Sequence, residues 1–237
     1  MKLEKFYKEW LGQENFYEII LNSRLNLTNE FNQSKNFLTN LKPHTKKEWK
    51  EIVSRKGDVR IDIPVWFGDL KKSKRKLVVI GLEPRDTNSK FNVERKRKKL
   101  FGSPYGIDRW NDQSSIIGKA QNKYFRVFKN LVEDSNRFVL FTDVVKEYEI
   151  VSNQKSLNDK HARETFNKKS IEQSQQLIKE INIVSPDIII TLGNDAYSKV
   201  VKLLGTSEFN IKKIRHPSFG GENQAIKELN KIVRNLN

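Results

Sequence analysis

Four short apolar runs after residue 75, rich in β-branched residues, constrain the fold more than any other feature. Longer stretches with apolar residues at helical spacing separate them, which predicts strands alternating with helices. Strands that are apolar throughout, not alternating, are typical of a parallel sheet covered on both faces. The sequence therefore predicts an α/β fold, a three-layer α/β/α sandwich around a mainly four-stranded parallel sheet, with strands at 77–81, 138–143, 187–192 and 211–216.

The helical stretches between these strands cover residues 121–134, 158–184 and 195–204, and Gly205 is placed to end the last of them. The first 75 residues differ and predict a helical extension, in which Thr45 and Glu48 have the spacing of a capping box. Residues 61–67 alternate like a strand that Pro64 limits to a sheet edge or an irregular segment. We therefore predict an N-terminal helical extension over residues 1–75 and an α/β domain over residues 76–237.

The charge balance favours a polyanionic partner. Forty-five Lys and Arg against 29 Asp and Glu leave a net charge of +16 over 237 residues, which suits nucleic acid, although codon bias in an AT-rich genome gives a similar lysine excess. The chain has no cysteine, which excludes disulfides, thiolate zinc sites and cysteine-bound iron–sulfur clusters. An N-terminus without an apolar leader and the lack of a long apolar run predict a soluble, cytoplasmic protein.

The residues that follow the four strands are the candidates for a site, because ligands bind at the carboxyl ends of parallel strands. These positions hold Glu83, Asp143, the Gly193-Asn194 turn and His216. Two carboxylates, a turn and a histidine are thus expected on one edge of the sheet. His216 is one of only three histidines in the chain, and the others, His44 and His161, are too scattered to predict a metal site with it.

Two of these segments resemble the signature motifs of the uracil-DNA glycosylase superfamily. Gly81-Leu-Glu-Pro84 is similar to the Gly-x-(Asp/Asn/Glu/Ala)-Pro loop after the first strand, and His216-Pro-Ser218 to the His-Pro-Ser loop after the last. Residues 141–146 and 186–193 resemble strand segments of the thermophile-type branch, which commonly read Ile-Thr-Asn-Val-Val-Lys and Pro-x-x-Ile-x-x-Leu-Gly. The resemblance covers residues 76–220 in order.

The resemblance implies two catalytic residues. Glu83 would hold or activate the attacking water and face the positively charged sugar. His216 would donate a hydrogen bond to the pyrimidine O2 as negative charge collects there. Without the resemblance, the preferred interpretation of Glu83 is an exposed loop acid that caps the next helix, and that of His216 is a surface histidine held by Pro217.

The resemblance also implies a pocket for an extruded base and a surface for DNA. Tyr105, or alternatively Phe101, would stack on the base. Phe219 would either wedge into the duplex or pack into the core. The residues expected to contact the base are Leu82, Phe101, Tyr105, Asp143 and Asn194, and those expected to contact DNA are Pro84, Arg85, Arg215, Pro217, Ser218, Phe219 and Gly220.

Asp143 stands where relatives carry the asparagine that reads the base, and Glu83 stands where they commonly use Asp or Asn. An ionised aspartate only accepts hydrogen bonds, so it suits the N4 amino group of cytosine and repels the O4 of uracil. This preference would be lost if Asp143 were protonated, or if it served as a helix cap or as a salt-bridge partner of Lys146. The absence of cysteine also means that the iron–sulfur cluster of the thermophile-type branch is not carried over.

These observations predict a monofunctional DNA glycosylase that hydrolyses the bond to a modified pyrimidine, favouring a hydroxymethylated or glucosylated cytosine in phage DNA. Some bacterial members of the superfamily defend against phages in that way. The alternatives are a uracil-DNA glycosylase of base excision repair and a non-catalytic DNA- or nucleotide-binding protein on the same fold. We expect no cofactor and no metal, DNA as the partner, no membrane association and a monomer.

Two basic runs support binding to DNA. Residues 71–76 precede the first core strand and residues 95–99 follow the first motif, and both are expected to flank the mouth of the site. Their simpler interpretation is a solvated face.

Overall fold

The computed structural model describes residues 3, 5, 6, 58–62, 64–82, 101–102, 116–150, 164, 167–168, 170–218 and 220–236, with the backbone alone for 58–62, 101–102, 116–122 and 147–150. The strands in chain order are β1 (Asp58–Asp62), β2 (Val65–Phe67), β3 (Arg75–Gly81), β4 (Phe101–Gly102), β5 (Arg137–Asp143), β6 (Glu147–Ile150), β7 (Ile188–Leu192) and β8 (Ile211–Ile214). The helices are α1 (Ile116–Val132), α2 (Ser174–Val184), α3 (Gly193–Leu204) and α4 (Glu222–Arg234).

A five-stranded sheet in the order β2-β5-β3-β7-β8 forms the centre of the described structure. Strands β5, β3, β7 and β8 are parallel, as predicted, and β2 pairs antiparallel with β5. Every residue of β5 and β7 is buried, so both faces of the sheet are covered, and this explains why the strand sequences are apolar throughout. The observed sheet confirms the predicted α/β fold.

The segment around Pro64 forms two separate strands. Pro64 lies between β1 and β2, and β2 is an edge strand of the five-stranded sheet among the described strands. The edge position agrees with the prediction, since proline cannot continue a ladder of hydrogen bonds. β1 instead pairs with β4 and β6 in a three-stranded sheet that the sequence did not predict.

The described helices pack against this sheet. α1 contacts β5, α2 contacts β3, and α3 contacts β7 and β8. Phe128 of α1 meets Phe141 of β5 edge to face, with ring centroids 5.2 Å apart. Crossover connections between parallel strands are right-handed, and this rule places α1 on the opposite face of the sheet from α2 and α3. The three-layer arrangement stays a prediction that rests on this rule.

α4 was not predicted. It is a charged helix that buries Ala225 and Leu229, and it contacts α1 and β8. Glu222 lies in its first turn, and Lys231 and Arg234 lie in its last turn, which matches the direction of the helix dipole. α4 begins directly after the loop that contains His216, so its position helps to fix that loop.

Most of residues 1–75 lies outside the described residues, so the N-terminal helices and the division at residue 75 stay predictions. Leu3 is buried in the same core as the sheet, and Phe6 packs against it. β2 also belongs to the sheet although it precedes residue 76. No helix in the described part of the chain is long and apolar enough to cross a membrane.

Candidate active site at the carboxyl edge of the sheet

Four parallel strands end at one edge of the sheet, and the candidate residues follow them. β3 ends at Gly81, β5 at Asp143, β7 at Leu192 and β8 at Ile214. The structure thus brings Asp143, the first residues of α3 (Gly193 and Asn194, predicted as a turn) and the His216 loop to the edge where ligands bind in such sheets.

The ends of β3 and β5 are fastened together. Gly81 lies opposite Asp143 in the parallel register, and past the strands the Val144 and Val145 amides donate to the carbonyls of Gly81 and Leu82, both at 3.0 Å. Asp143 is almost completely buried, with 3 % of the residue exposed, and Leu82 is half-buried against the core. The segment that leads into Glu83 is therefore held directly beside Asp143.

A buried ion pair lies behind the end of β5. The Lys146 ammonium lies 2.9 Å from Glu180 Oε2 and also donates to the Thr142 hydroxyl, which in turn donates to the same carboxylate oxygen at 2.8 Å. Lys146 and Glu180 have 1 % and 0 % of their side chains exposed, and Glu180 Oε1 has no hydrogen-bond partner among the described atoms. This cluster ties the segment around Asp143 to α2.

His216 lies in a loop whose backbone determines which ring nitrogen carries the proton. The Ser218 amide donates to His216 Nδ1 at 3.1 Å, so Nδ1 must be the unprotonated nitrogen and the neutral ring carries its proton on Nε2. Two glycines lie next to His216, and the one at position 221 leaves no room for a side chain. A Cβ on Gly221 would lie 2.1 Å from the His216 carbonyl oxygen, and one on Gly193 would lie 3.6 Å from His216 Cβ. The N-terminus of α3 therefore packs against the His216 side chain.

The surroundings of His216 keep it neutral. Burial, helped by the nearby Lys123 ammonium, lowers the pKa of His216 to about 4. The ring is consequently uncharged at neutral pH and presents Nε2–H as a donor. Such a donor can stabilise negative charge that develops on an oxygen atom of a ligand.

Tyr124 of α1 contacts the loop that contains His216. Its hydroxyl oxygen lies 3.0 Å from Ser218 Oγ, and its ring meets the His216 ring edge to face with centroids 6.1 Å apart. Burial raises the pKa of Tyr124, the hydrogen bond with Ser218 opposes this, and the Asp143 charge raises the pKa further. Asp143 thus acts electrostatically on a tyrosine that touches the His216 loop.

α1 is also clamped to α4 beside this loop. Arg126 grips Glu222 through two hydrogen bonds, Nε to Oε1 at 2.5 Å and a second guanidinium nitrogen to Oε2 at 2.8 Å. Arg126 lies within one helical turn of Lys123 and Tyr124, and Glu222 follows Gly221 directly. The pair therefore holds together α1, which contacts the His216 ring, and α4, which follows the His216 loop.

The remaining described candidates lie at the rim. Asn194 is exposed, and its Oδ1 accepts a hydrogen bond from Lys213 Nζ at 2.8 Å. Arg215 is exposed, Pro217 is buried, Ser218 is half-buried, and Gly220 has a positive φ of 77° that favours glycine. Glu83, Pro84, Arg85, Tyr105 and Phe219 lie outside the described residues, and so does the side chain of Phe101, whose backbone belongs to β4.

One basic run lies elsewhere than expected. Residues 71–76 lead into the amino end of β3, whereas the site lies at the carboxyl end of that strand. Seven residues of strand separate the two ends by about 20 Å at 3.3 Å per residue. The prediction that this run flanks the mouth is therefore wrong, and the run at 95–99 lies outside the described residues.

Sequence reasoning missed Tyr124 and Lys123 as parts of the site. Both lie in a stretch recognised only as a helix, and their role depends on a loop about 94 residues further along the chain. An aromatic residue within the apolar stripe of a helix indicates only that it packs in the core, so the sequence did not show that Tyr124 contacts the His216 loop.

A buried acid at the end of β5 and a neutral histidine donor just past the end of β8 thus lie at the same edge of the sheet. Residues 66–236 match the uracil DNA glycosylase superfamily, and the chain belongs to that superfamily. The family is one of DNA glycosylases, hydrolases whose substrate is DNA. A search of curated proteins found no match to the chain.

Proposed function

We propose that this protein is a monofunctional DNA glycosylase that flips out a modified cytosine and hydrolyses its N-glycosidic bond. The substrate would be a hydroxymethylated or glucosylated cytosine in foreign DNA, met inside the cell. The observation that carries the proposal is the neutral His216 donor on the same edge as the buried Asp143.

The reaction is a hydrolysis in which charge separates. The bond between C1′ of the deoxyribose and N1 of the base breaks, and its electron pair moves into the pyrimidine, where O2 bears much of the negative charge. The His216 Nε2–H donates a hydrogen bond to that oxygen. Water adds to C1′ and gives up a proton through Glu83 to the solvent, and the departing base anion takes up a proton from the solvent, so an abasic site and a neutral free base remain.

The neutrality of His216 suits this task. A charged imidazolium would require a proton that the site rejects, since the pKa of His216 is about 4. A neutral donor fixed by the Ser218 amide needs no reorientation when charge develops. Preorganised donors of this kind are worth about 2.7–4 kcal/mol of barrier.

Asp143 supports the choice of a cytosine. It is held by the β3–β5 register, and its burial removes the water that would otherwise screen its contact with a base. A carboxylate accepts from the N4 amino group of cytosine and has no proton to offer the O4 of uracil. Ordinary cytosine is excluded as a substrate because its removal would destroy the host genome.

The roles of Glu83 and the aromatic residues follow from the resemblance. Glu83 directly follows Leu82 in the sequence, and the Leu82 carbonyl accepts a hydrogen bond from the Val145 amide just past the end of β5. We propose Glu83 as the residue that activates water, Tyr105 or Phe101 as the stacking ring, and Ser218 as a contact to phosphate. Protonation of the leaving base is left to solvent.

A substrate panel tests the proposal. Duplexes and single strands that carry uracil, hydroxymethylcytosine, glucosylated cytosine or deaminated purines are incubated with the protein and heated in alkali, which breaks the strand at abasic sites. We expect cleavage at the modified cytosines. Cleavage at uracil alone would overturn the cytosine assignment, and binding with no base release from any substrate would show a non-catalytic binding protein.

Two further measurements separate catalysis from binding. The variants Glu83→Gln and His216→Ala should each strongly slow base release while DNA binding persists. DNA affinity should fall steeply as salt rises, because phosphate contacts release counterions. A flat salt response would contradict a DNA substrate for a chain with a net charge of +16.

A further inference from the structure

Tyr124 links a helix to the loop that carries the proposed leaving-group donor. The residue is 9 % exposed, and it lies on α1, which packs against both β5 and α4. The hydroxyl approaches Ser218 Oγ at 3.0 Å, and the ring approaches His216 at an interplanar angle of 89°. These two contacts reach the same loop from one side chain.

We propose that Tyr124 is a positioning residue for base release, which holds His216 in the orientation and tautomer that present Nε2–H to the departing base. The inference rests on the proposed glycosylase function and adds a residue that the sequence motifs did not include. Tyr124 acts through Ser218 and through ring packing, without contact to the substrate.

The first step of the argument concerns Ser218. Its amide donates to His216 Nδ1 at 3.1 Å, while its hydroxyl bonds with Tyr124. The residue therefore joins Tyr124 to His216 through two hydrogen bonds. Loss of the Tyr124 hydroxyl removes one support of this loop, and the amide can then move away from Nδ1.

The second step concerns the tautomer. A neutral imidazole carries its proton on either nitrogen, and the hydrogen bond at one nitrogen decides which. When Nδ1 accepts from the Ser218 amide, Nε2 must be the donor. If that hydrogen bond weakens, the other tautomer becomes accessible, and its unprotonated Nε2 would repel a negatively charged base oxygen.

The third step concerns ring orientation. The edge-to-face contact with Tyr124 on one side and the packing of Gly193 near His216 Cβ on the other restrict rotation of the imidazole. Burial raises the pKa of Tyr124, so its hydroxyl stays protonated at neutral pH and remains available for the hydrogen bond with Ser218.

The experiment uses the full chain and the variant Tyr124→Phe, which removes the hydroxyl and keeps the ring. Single-turnover base release, DNA affinity and the nitrogen chemical shifts of His216 are measured, because those shifts distinguish a protonated from an unprotonated ring nitrogen. Tyr197→Phe is the matched control, since Tyr197 lies on α3 and contacts Lys213. We expect Tyr124→Phe to slow base release by roughly 10- to 100-fold, as misplaced catalytic groups do, with unchanged DNA affinity and a mixture of His216 tautomers.

A double-mutant cycle tests whether Tyr124 acts through Ser218. Ser218→Ala keeps the amide and removes the hydroxyl, so the double variant with Tyr124→Phe should release base about as fast as the slower single variant. If the two substitutions instead slowed base release independently, so that their fold-reductions multiplied in the double variant, the proposed link between Tyr124 and Ser218 would be wrong.

The failures of the two proposals are distinguishable. Wild-type rates and a single Nε2–H tautomer in Tyr124→Phe would overturn the role of Tyr124 and leave the glycosylase assignment intact. Absence of base release by the wild-type protein would overturn the glycosylase assignment, and the tautomer ratio in the free protein would then decide by itself whether Tyr124 orders His216.

Discussion

The Ser218 amide donates a hydrogen bond to Nδ1 of His216 at 3.1 Å, and this contact leaves the proton of the neutral ring on Nε2. The chain thereby fixes a hydrogen-bond donor at the end of β8 without using a charge. Consequences for turnover, stability and base choice follow from the groups around it.

Replacement of His216 by alanine should lower the rate of base release by roughly 100- to 1000-fold, because one preorganised donor to developing negative charge is lost. Single-turnover kinetics on a modified-cytosine duplex measure the change, and a filter-binding assay should show persistent DNA affinity. His44→Ala and His161→Ala are controls, since these are the other two histidines in the chain. An equal loss in all three variants would contradict the assignment.

The stability of the protein should fall on mild acidification because of His216. Its pKa is lowered to about 4 in the folded protein against 6.5 for the free side chain, so the unfolded chain takes up a proton between these values while the folded chain does not. Stability is thus full above pH 6.5 and declines as the pH falls toward 4. Between pH 7 and pH 5 the loss should be about 2 kcal/mol.

Urea unfolding at pH 7 and pH 5 measures this loss. His216→Asn lacks the titrating group, so its stability should fall less over the same range, and the difference between the two proteins isolates His216 from the carboxylates. The same pH dependence in both proteins would show that the folded pKa of His216 is not depressed.

The variant Asp143→Asn should shift base preference from cytosine-type to uracil-type bases. An amide offers both a donor and an acceptor, whereas the carboxylate only accepts, and a pair of this kind discriminates by about 1–3 kcal/mol. Competition between duplexes with hydroxymethylcytosine and uracil gives the ratio of the two specificity constants. Asp195→Asn on α3 is the control, and an unchanged ratio in Asp143→Asn would refute base reading by Asp143.

Substitution of Gly221 by alanine should damage both the fold and turnover. The new Cβ would lie 2.1 Å from the His216 carbonyl oxygen, so the backbone of the loop must move. Gly205→Ala is the matched control, since that Cβ meets nothing within 4 Å and the cost is limited to a φ of 74°. Thermal unfolding should show a loss of stability in both variants, and only Gly221→Ala should also lose base release.

Breaking the buried pair of Lys146 and Glu180 should be costly. Lys146→Met would leave the Glu180 carboxylate buried without its counter-ion, and such losses amount to about 3–5 kcal/mol. The double variant Lys146→Met with Glu180→Leu should recover most of that stability, because no unpaired charge remains. Urea denaturation of the three proteins tests this, and an equally unstable double variant would contradict the explanation.

The parallel sheet was predictable because β5 and β7 are buried on both faces, which leaves a continuous apolar signature in the sequence. The positions of Asp143 and His216 were predictable because ligands bind at the carboxyl ends of parallel strands, and both residues lie at or just past such ends. α4 was missed because only Ala225 and Leu229 are fully buried in an otherwise charged helix.

Contacts between distant residues were beyond sequence reasoning. Lys146 was considered as a partner of Asp143, and the structure pairs it with Glu180, 34 positions away. The hydrogen bond between Tyr124 and Ser218 spans 94 positions. No local pattern encodes such pairs, since they arise only when α1, α2 and the last loop pack on the sheet.

The turn between β2 and β3 offers a place for a reporter group. It lies about 20 Å along β3 from the site, the Lys72 side chain is exposed there, and Asp69 holds the turn through the backbone amides of Lys71 and Lys72. Because the chain has no cysteine, Lys72→Cys would create a single thiol. A fluorophore attached there would follow the arrival and departure of individual DNA molecules while leaving the reaction itself undisturbed.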